Sequence, residues 1–176
     1  MEIYLIRHTK PDIMPGICYG KSDIMPAESF QEETGLIKVK IKDIKFDAVF
    51  SSPLKRCSVL ADALFESYII SDLLTEMNFG RWEGVSWEAV FQDPEGEKWF
   101  DDYLTYPCPE GESFQDLCNR VKEFTEFMNN KDFKRVALVT HAGIIRAFRI
   151  LFEGIDPESV FSEKLDYGEI VIVNLS

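Results

Sequence analysis

The feature that most constrains this chain is the run Arg135-Val-Ala-Leu-Val-Thr140. It is the strongest strand signal in the sequence, and it leads through His141-Ala-Gly143 into an apolar helical stretch, Ile144 to Phe152. The same pattern opens the chain. Ile3 to Ile6 is a short apolar, β-branched run that reads as a buried strand and ends abruptly at Arg7-His8. Asp47 to Ser52 is a second strand candidate, and Tyr68-Ile-Ile70 and Glu169 to Leu175 complete the set. Between them lie helical patterns at Ala27 to Ile44, interrupted by Gly35, at Pro53 to Phe65, and at Phe114 to Met128. Strands alternating with helices of this length predict a three-layer α/β/α sandwich around a mostly parallel central sheet.

With 176 residues, 45% of them hydrophobic, the chain is long enough for one full domain and short for two, so a single domain over 1–176 is expected. The stretch from Gly80 to Pro109 is irregular, aromatic and acidic, and reads as an excursion of short helices. A cap-like segment of about 79–112, lying over the C-terminal edge of the strands, follows. A formal charge of -12 disfavours a long phosphate backbone or a polybasic membrane contact, but permits a small anion in a locally basic pocket. No stretch approaches a membrane span, the N-terminus lacks a basic leader region, and the four cysteines form no CxxC pair. A cytoplasmic protein with reduced thiols is the expectation.

Two histidines serve the whole chain, and each follows a strand: His8 after the first, His141 after the strongest. In open α/β sheets ligands bind at that carboxyl edge. A lone histidine there would read as an ordinary half-buried residue; two out of two point to a site. Ser51-Ser52-Pro53-Leu54-Lys55-Arg56 adds a strand end feeding a helix, with Ser52 as the expected N-cap and free N–H groups offered to an anion. Arg56 and Arg7 supply guanidinium forks suited to phosphoryl oxygens. Other phosphate chemistries lack their signatures: there is no GxxxxGK[ST], no cysteine followed at the sixth position by arginine, no DxDx[TV] after a strand, and no HxH or HExxH. A histidine nucleophile without metal remains.

Leu5-Ile6-Arg7-His8-Thr9, Ser51 to Arg56, Glu76-Met-Asn-Phe-Gly80 and Val139-Thr140-His141-Ala142-Gly143 occur in an order that resembles the histidine phosphatase (phosphoglycerate mutase-like) superfamily. The resemblance spans nearly the whole chain. It implies that His8 is the phosphorylated nucleophile, that Arg7, Arg56, His141 and Ala142 hold the phosphoryl group, and that Glu76 is the acid/base. It also implies one antiparallel strand, no cofactor and no metal.

The first motif departs from the family's usual RHGxTxxN: Thr9 replaces glycine, Pro11 threonine and Met14 asparagine, which removes one usual phosphate contact. RHTKPD with Gly16 to Asp23 instead resembles the α-ribazole phosphatase branch, which dephosphorylates α-ribazole 5'-phosphate during assembly of the cobalamin nucleotide loop. From Phe79 to Glu112 there are nine acids and two bases, a poor setting for the second phosphate and carboxylate of a mutase substrate. Tyr19, Gly20 and Trp82 adjoin the matched motifs and are the expected substrate contacts. The alternatives are a broad sugar or small-molecule phosphatase, a mutase-like enzyme, or a silent member that binds phospholigands. The expected partner is a small phosphomonoester, with neither nucleic acid nor membrane, in a monomer or homodimer.

Overall fold

The computed structural model describes residues 1–175. Five strands form one sheet: β1 (Glu2–Arg7), β2 (Ala48–Ser51), β3 (Ile69–Ile70), β4 (Arg135–Thr140) and β5 (Ile170–Asn174). Their order is β3-β2-β4-β1-β5. β1, β2 and β3 run parallel to their neighbours through β4, and β5 pairs antiparallel with β1. The helices are α1 (Phe30–Ile41), α2 (Lys55–Leu64), α3 (Trp87–Gln92), α4 (Pro94–Asp101), α5 (Phe114–Asn129), α6 (Ala142–Phe148) and α7 (Pro157–Ser162).

The period-2 alternation of a strand divides β4 between two cores. Val136 and Leu138 face one side with Leu117, Val121, Phe124, Ile144 and Phe148 from α5 and α6. Ala137 and Val139 face the other with Ile37, Ile41, Cys57, Leu60 and Ala61 from α1 and α2. β1 does the same, with Ile3 and Leu5 on the first face and Ile6 on the second. Each fully buried Leu, Ile or Phe contributes roughly 2 kcal/mol of hydrophobic stabilisation. The expected three-layer sandwich, mostly parallel with one antiparallel strand, is what forms.

Several boundaries differ from the sequence reading, each for a local reason. α1 is shorter than Ala27 to Ile44, although Gly35 lies inside it without breaking it. α6 starts at Ala142, directly after β4, and gives way to a π-helical turn over Arg149–Glu153. The excursion orders into a 3₁₀ turn at Gly80–Trp82 followed by α3 and α4, which Ser86 and Asp93 cap through their side chains. α7, which the sequence reading left out, begins with Asp156 capping and Pro157 in the first turn. α5 carries a reciprocal capping box: Asp116 N donates to Ser113 Oγ, and Ser113 N donates to Asp116 Oδ2. All four cysteines are free and buried. Among the described residues no helix is long and apolar enough to cross a membrane.

Candidate active site

Strand order places three carboxyl ends side by side. His8 N donates to Thr140 O at 3.0 Å, and Ser52 N donates to Val139 O at 3.0 Å, so the residues just past β1, β2 and β4 share one edge. His8 and His141 stack edge to face with ring centroids 5.1 Å apart. Both are buried, and so is Arg56.

Hydrogen bonds fix the state of each ring. His8 Nδ1 lies 2.7 Å from Thr9 O, an acceptor only, so Nδ1 carries the proton and Nε2 keeps its lone pair. Arg56 Nε, which can only donate, reaches His141 Nδ1 at 3.3 Å; His141 therefore donates from Nε2 to Ser52 Oγ at 2.8 Å. Burial, the Arg56 charge and, more weakly, Arg7 hold His8 well below the usual histidine range. His141 is lowered by burial, then by Arg56, His8 and Arg7. Both rings are neutral in this arrangement.

Arg56 is seated from below. Its Nη1 donates to Ser22 O at 2.7 Å and its Nη2 to Gly20 O at 2.6 Å. Three of the five guanidinium N–H groups are thus spent on the protein, and two remain for a ligand. Arg7 donates from Nη1 to Leu165 O, while its buried Nε has no partner. The Tyr167 ring lies 4.2 Å from the Arg7 guanidinium carbon, and its hydroxyl is 3.1 Å from that of Tyr19. Tyr19 in turn lies 5.3 Å from Arg56, and its hydroxyl is pushed well above the usual phenol range by burial and by the contact with Tyr167. The two tyrosines together flank both arginines.

Glu76 stands beside this cluster. Its Oε1 accepts from Met77 N at 3.0 Å and its Oε2 from Gly143 N at 3.2 Å. A Cβ on residue 143 would lie 2.2 Å from Glu76 Oε1, so only glycine lets the carboxylate lie against the start of α6. Ala142, the first residue of α6, is buried next to His141. Glu76, Ala142 and Gly143 also form one wall of a cavity that Phe79, Trp99, Tyr103, Phe114, Phe161 and Arg146 complete.

Three expectations need correction. Ser52 is not the N-cap of α2; Leu54 holds that position, and the Ser52 hydroxyl serves His141 and Leu54 N instead. Nor is every N–H at the start of α2 open to an anion, since Lys55 N donates to Asp23 Oδ1 at 2.7 Å and Cys57 N to Leu54 O at 2.8 Å. Trp82 is 3% exposed and packs into the hydrophobic core, so it cannot reach a ligand without the core opening. Gly20 contributes its carbonyl to Arg56, and a Cβ there would strike Met77 O at 2.1 Å. Met14, which stands where the family has asparagine, is 74% exposed.

Tyr167, Asp23, Glu83 and Arg146 were missed. Glu83 staples the Gly20 loop to the excursion, accepting from Lys21 N at 2.8 Å, Phe79 N at 3.1 Å and the Ser22 hydroxyl. The Glu83 signal was its place in the run Glu76 to Glu83; the others left none that is local in sequence. Among the described residues no group of three or more His, Cys, Asp or Glu is placed to hold a metal ion.

Known proteins share this architecture. Alpha-ribazole phosphatase from Shigella flexneri superposes with a TM-score of 0.89 at 23% identity, covering 100% of this chain and 91% of its own. Phosphoserine phosphatase from Entamoeba histolytica gives 0.84 at 20% identity, with 97% and 89% covered. In sequence, phosphoserine phosphatase 1 of Hydrogenobacter thermophilus is 26% identical over 183 residues, spanning 99% of this chain and 87% of the relative. The family model for the histidine phosphatase superfamily (branch 1) matches residues 3–176, and this chain belongs to that superfamily.

Proposed function

We propose that the protein is a metal-independent phosphomonoesterase that works through a phosphohistidine at His8, with α-ribazole 5'-phosphate as its substrate. The observation that carries the chemistry is the tautomer of His8. Its Nδ1 proton is held by Thr9 O, and Nε2 is left as a neutral nucleophile beside two arginines with unspent donors. Membership of the superfamily supports a phosphatase or mutase activity.

In the first step His8 Nε2 attacks phosphorus in line. The N–P bond forms as the P–O ester bond breaks, and the departing oxygen takes its electron pair with it. Glu76, as general acid, gives a proton to that oxygen. Arg7, Arg56, His141 and the Ala142 N–H face the charge on the equatorial oxygens, already positioned before substrate arrives. In the second step the Glu76 carboxylate takes a proton from water, the water oxygen bonds to phosphorus, and the N–P electron pair returns to His8.

The substrate rests on a different observation. The cavity next to Glu76 is walled largely by aromatic side chains, which suits a flat organic group such as a benzimidazole. The nine acids of the excursion oppose a leaving group with a second phosphate.

The test is steady-state phosphate release from α-ribazole 5'-phosphate, sugar phosphates, phosphoserine and 3-phosphoglycerate, with EDTA present and His8→Ala as control. A lead of about a hundredfold in kcat/KM for α-ribazole phosphate, roughly 2.7 kcal/mol, is expected. Comparable rates across the panel would retain the histidine mechanism and reject this substrate. No EDTA-resistant, His8-dependent turnover of any ester would reject both in favour of a silent binder.

A further inference from the structure

The chain has seven arginines. Among the described residues four of them pair with carboxylates: Arg81 with Glu110, Arg120 with Glu112, Arg135 with Glu2, and Arg149 with Glu153 and Glu163. Arg7, Arg56 and Arg146 do not. The first two face the phosphate position. Arg146 is the third, and neither sequence motif nor chemistry has given it a role.

Arg146 projects from α6 one turn past Gly143, so it meets the same excursion that Glu76 begins. Its guanidinium lies 5.3 Å from the Phe161 ring centre, and its one hydrogen bond among the described residues is a long one, Nε to Val160 O at 3.5 Å. The side chain is half-buried and lines the cavity that Glu76 and Gly143 bound. Lining one cavity with Glu76, Ala142 and Gly143 puts the guanidinium beside the Glu76 carboxylate. Trp99 lines the same cavity, and its indole N–H is buried with no partner. Tyr103 and Phe114 fill the wall around them with apolar surface.

A buried N–H without an acceptor costs about 1–3 kcal/mol, and an unpaired, partly desolvated cation costs more. Two such donors in one aromatic cavity are a poor structural bargain unless something else completes them. Arg146 is not a strut for Glu76: among the described residues the two form no ion pair, and the Glu76 oxygens accept from Met77 N and Gly143 N.

We propose that Arg146 and the Trp99 indole N–H form a receptor for a hydrogen-bond acceptor carried by the alcohol half of the substrate, so that the cavity selects planar alcohols bearing such an acceptor. This rests on the reading of Glu76 as the group facing the leaving oxygen. An alcohol that fits the aromatic walls but lacks the acceptor leaves both donors unpaired, and is discriminated against for that reason. The acceptor is a carboxylate or a neutral heterocyclic nitrogen; both satisfy a guanidinium, and the experiment separates them.

The measurement is kcat/KM on three esters of similar shape: phenyl phosphate, 3-carboxyphenyl phosphate and 3-pyridyl phosphate. Wild type is compared with Arg146→Met, Arg146→Lys and Trp99→Phe. Arg146→Met is expected to lower kcat/KM at least tenfold on an acceptor-bearing ester while phenyl phosphate stays within about threefold. Trp99→Phe moves the same ratio by a smaller factor. A selective loss on the carboxylated ester alone identifies a hydroxy-acid phosphate; a selective loss on the pyridyl ester identifies a heterocyclic alcohol. Equal losses on all three esters in both Arg146 variants, or no loss on any, would overturn the receptor. Failure of the reading beneath it looks different: wild type would then release no His8-dependent phosphate even from phenyl phosphate.

Discussion

The two ends of the site are built on opposite terms. At the phosphate end, His8, Arg56 and His141 are 1% exposed or less and nearly every nitrogen they carry has a named partner in the protein, leaving two Arg56 N–H groups and the buried Arg7 Nε open. At the alcohol end, Glu76 and Arg146 are half-buried around an apolar cavity whose indole donor is unpaired. A network satisfied from within is held in place before any ligand arrives, which is what stabilising a charge-rich transition state requires. Donors left open define what has yet to bind. On the proposed function, the phosphate end carries the reaction and the alcohol end the choice of substrate.

The largest effect should come from breaking the phosphate end at its nucleophile. His8→Ala removes the only ring whose free lone pair is positioned by Thr9 O. Phosphate release should fall by about 10⁴-fold or more, since components of a nucleophilic unit are not replaceable one by one. The check is acid-stable or acid-labile label retention after brief mixing with a labelled ester. Wild type should hold acid-labile phosphate and the variant none; a variant that still becomes labelled would remove His8 from the mechanism.

Gly143 sits on the seam between the two ends, and it sharpens the comparison. Gly143→Ala places a methyl group 2.2 Å from Glu76 Oε1, so the carboxylate must swing away from α6. The phosphate cluster on β1 and β2 is untouched by that movement. The expected result is a fall of about tenfold in kcat with inorganic phosphate inhibition unchanged, given the roughly 10²–10⁴-fold that a well-placed acid/base supplies. A parallel loss of phosphate affinity would mean that the two ends are not separable.

How much of this was legible beforehand follows the same division. His8, Arg56 and His141 sit within a few residues of strand ends, and the alternation of strands and helices brings those ends to one edge, so their convergence could be read from local pattern. Arg146 could not, because on α6 it reads as one polar position in an apolar helix, and only its place beside Phe161, in the cavity Trp99 also lines, shows that it has no carboxylate partner. Tyr167 lies in the loop before β5 and reaches Arg7 only because β5 pairs with β1. Trp82 misled for the converse reason: it is close to Glu76 in sequence, yet the 3₁₀ turn at Gly80–Trp82 turns its ring into the core. α2 was expected to cap itself with Ser52; Leu54 is its N-cap, and its first N–H, Lys55 N, is met by Asp23, a residue from the loop after β1 that no local rule would select.

A pH experiment tests the phosphate end through stability. Both histidines are neutral in the folded protein and hold pKa values below the ordinary 6.5, from burial first and Arg56 second. Below about pH 6.5 the unfolded chain takes up protons that the folded chain refuses. The stability they contribute is fully present above that pH and is lost as pH falls toward the folded values, by up to about 1.4 kcal/mol per pH unit for each ring. Urea unfolding of wild type between pH 7 and 5.5 should show this slope, and His8→Gln should make it shallower. An unchanged slope in the variant would mean that His8 protonates normally when folded.

The smallest expected effect is at Tyr167, which touches the phosphate end from outside. Its ring covers the Arg7 guanidinium at 4.2 Å, and its hydroxyl meets that of Tyr19 at 3.1 Å. Tyr167→Phe keeps the ring over Arg7 and removes only the link between the two tyrosines, an exchange worth about 0.5–1.5 kcal/mol at most. With that link holding the two tyrosines together over the arginines, kcat/KM should fall by about threefold equally for every ester, while the ratios among esters stay fixed. Tyr167→Ala, which also uncovers Arg7, should lose more, again without changing the ratios. A change in the ratios would move substrate choice to the tyrosines and away from Arg146, and would dissolve the division between a phosphate end that reacts and an alcohol end that selects.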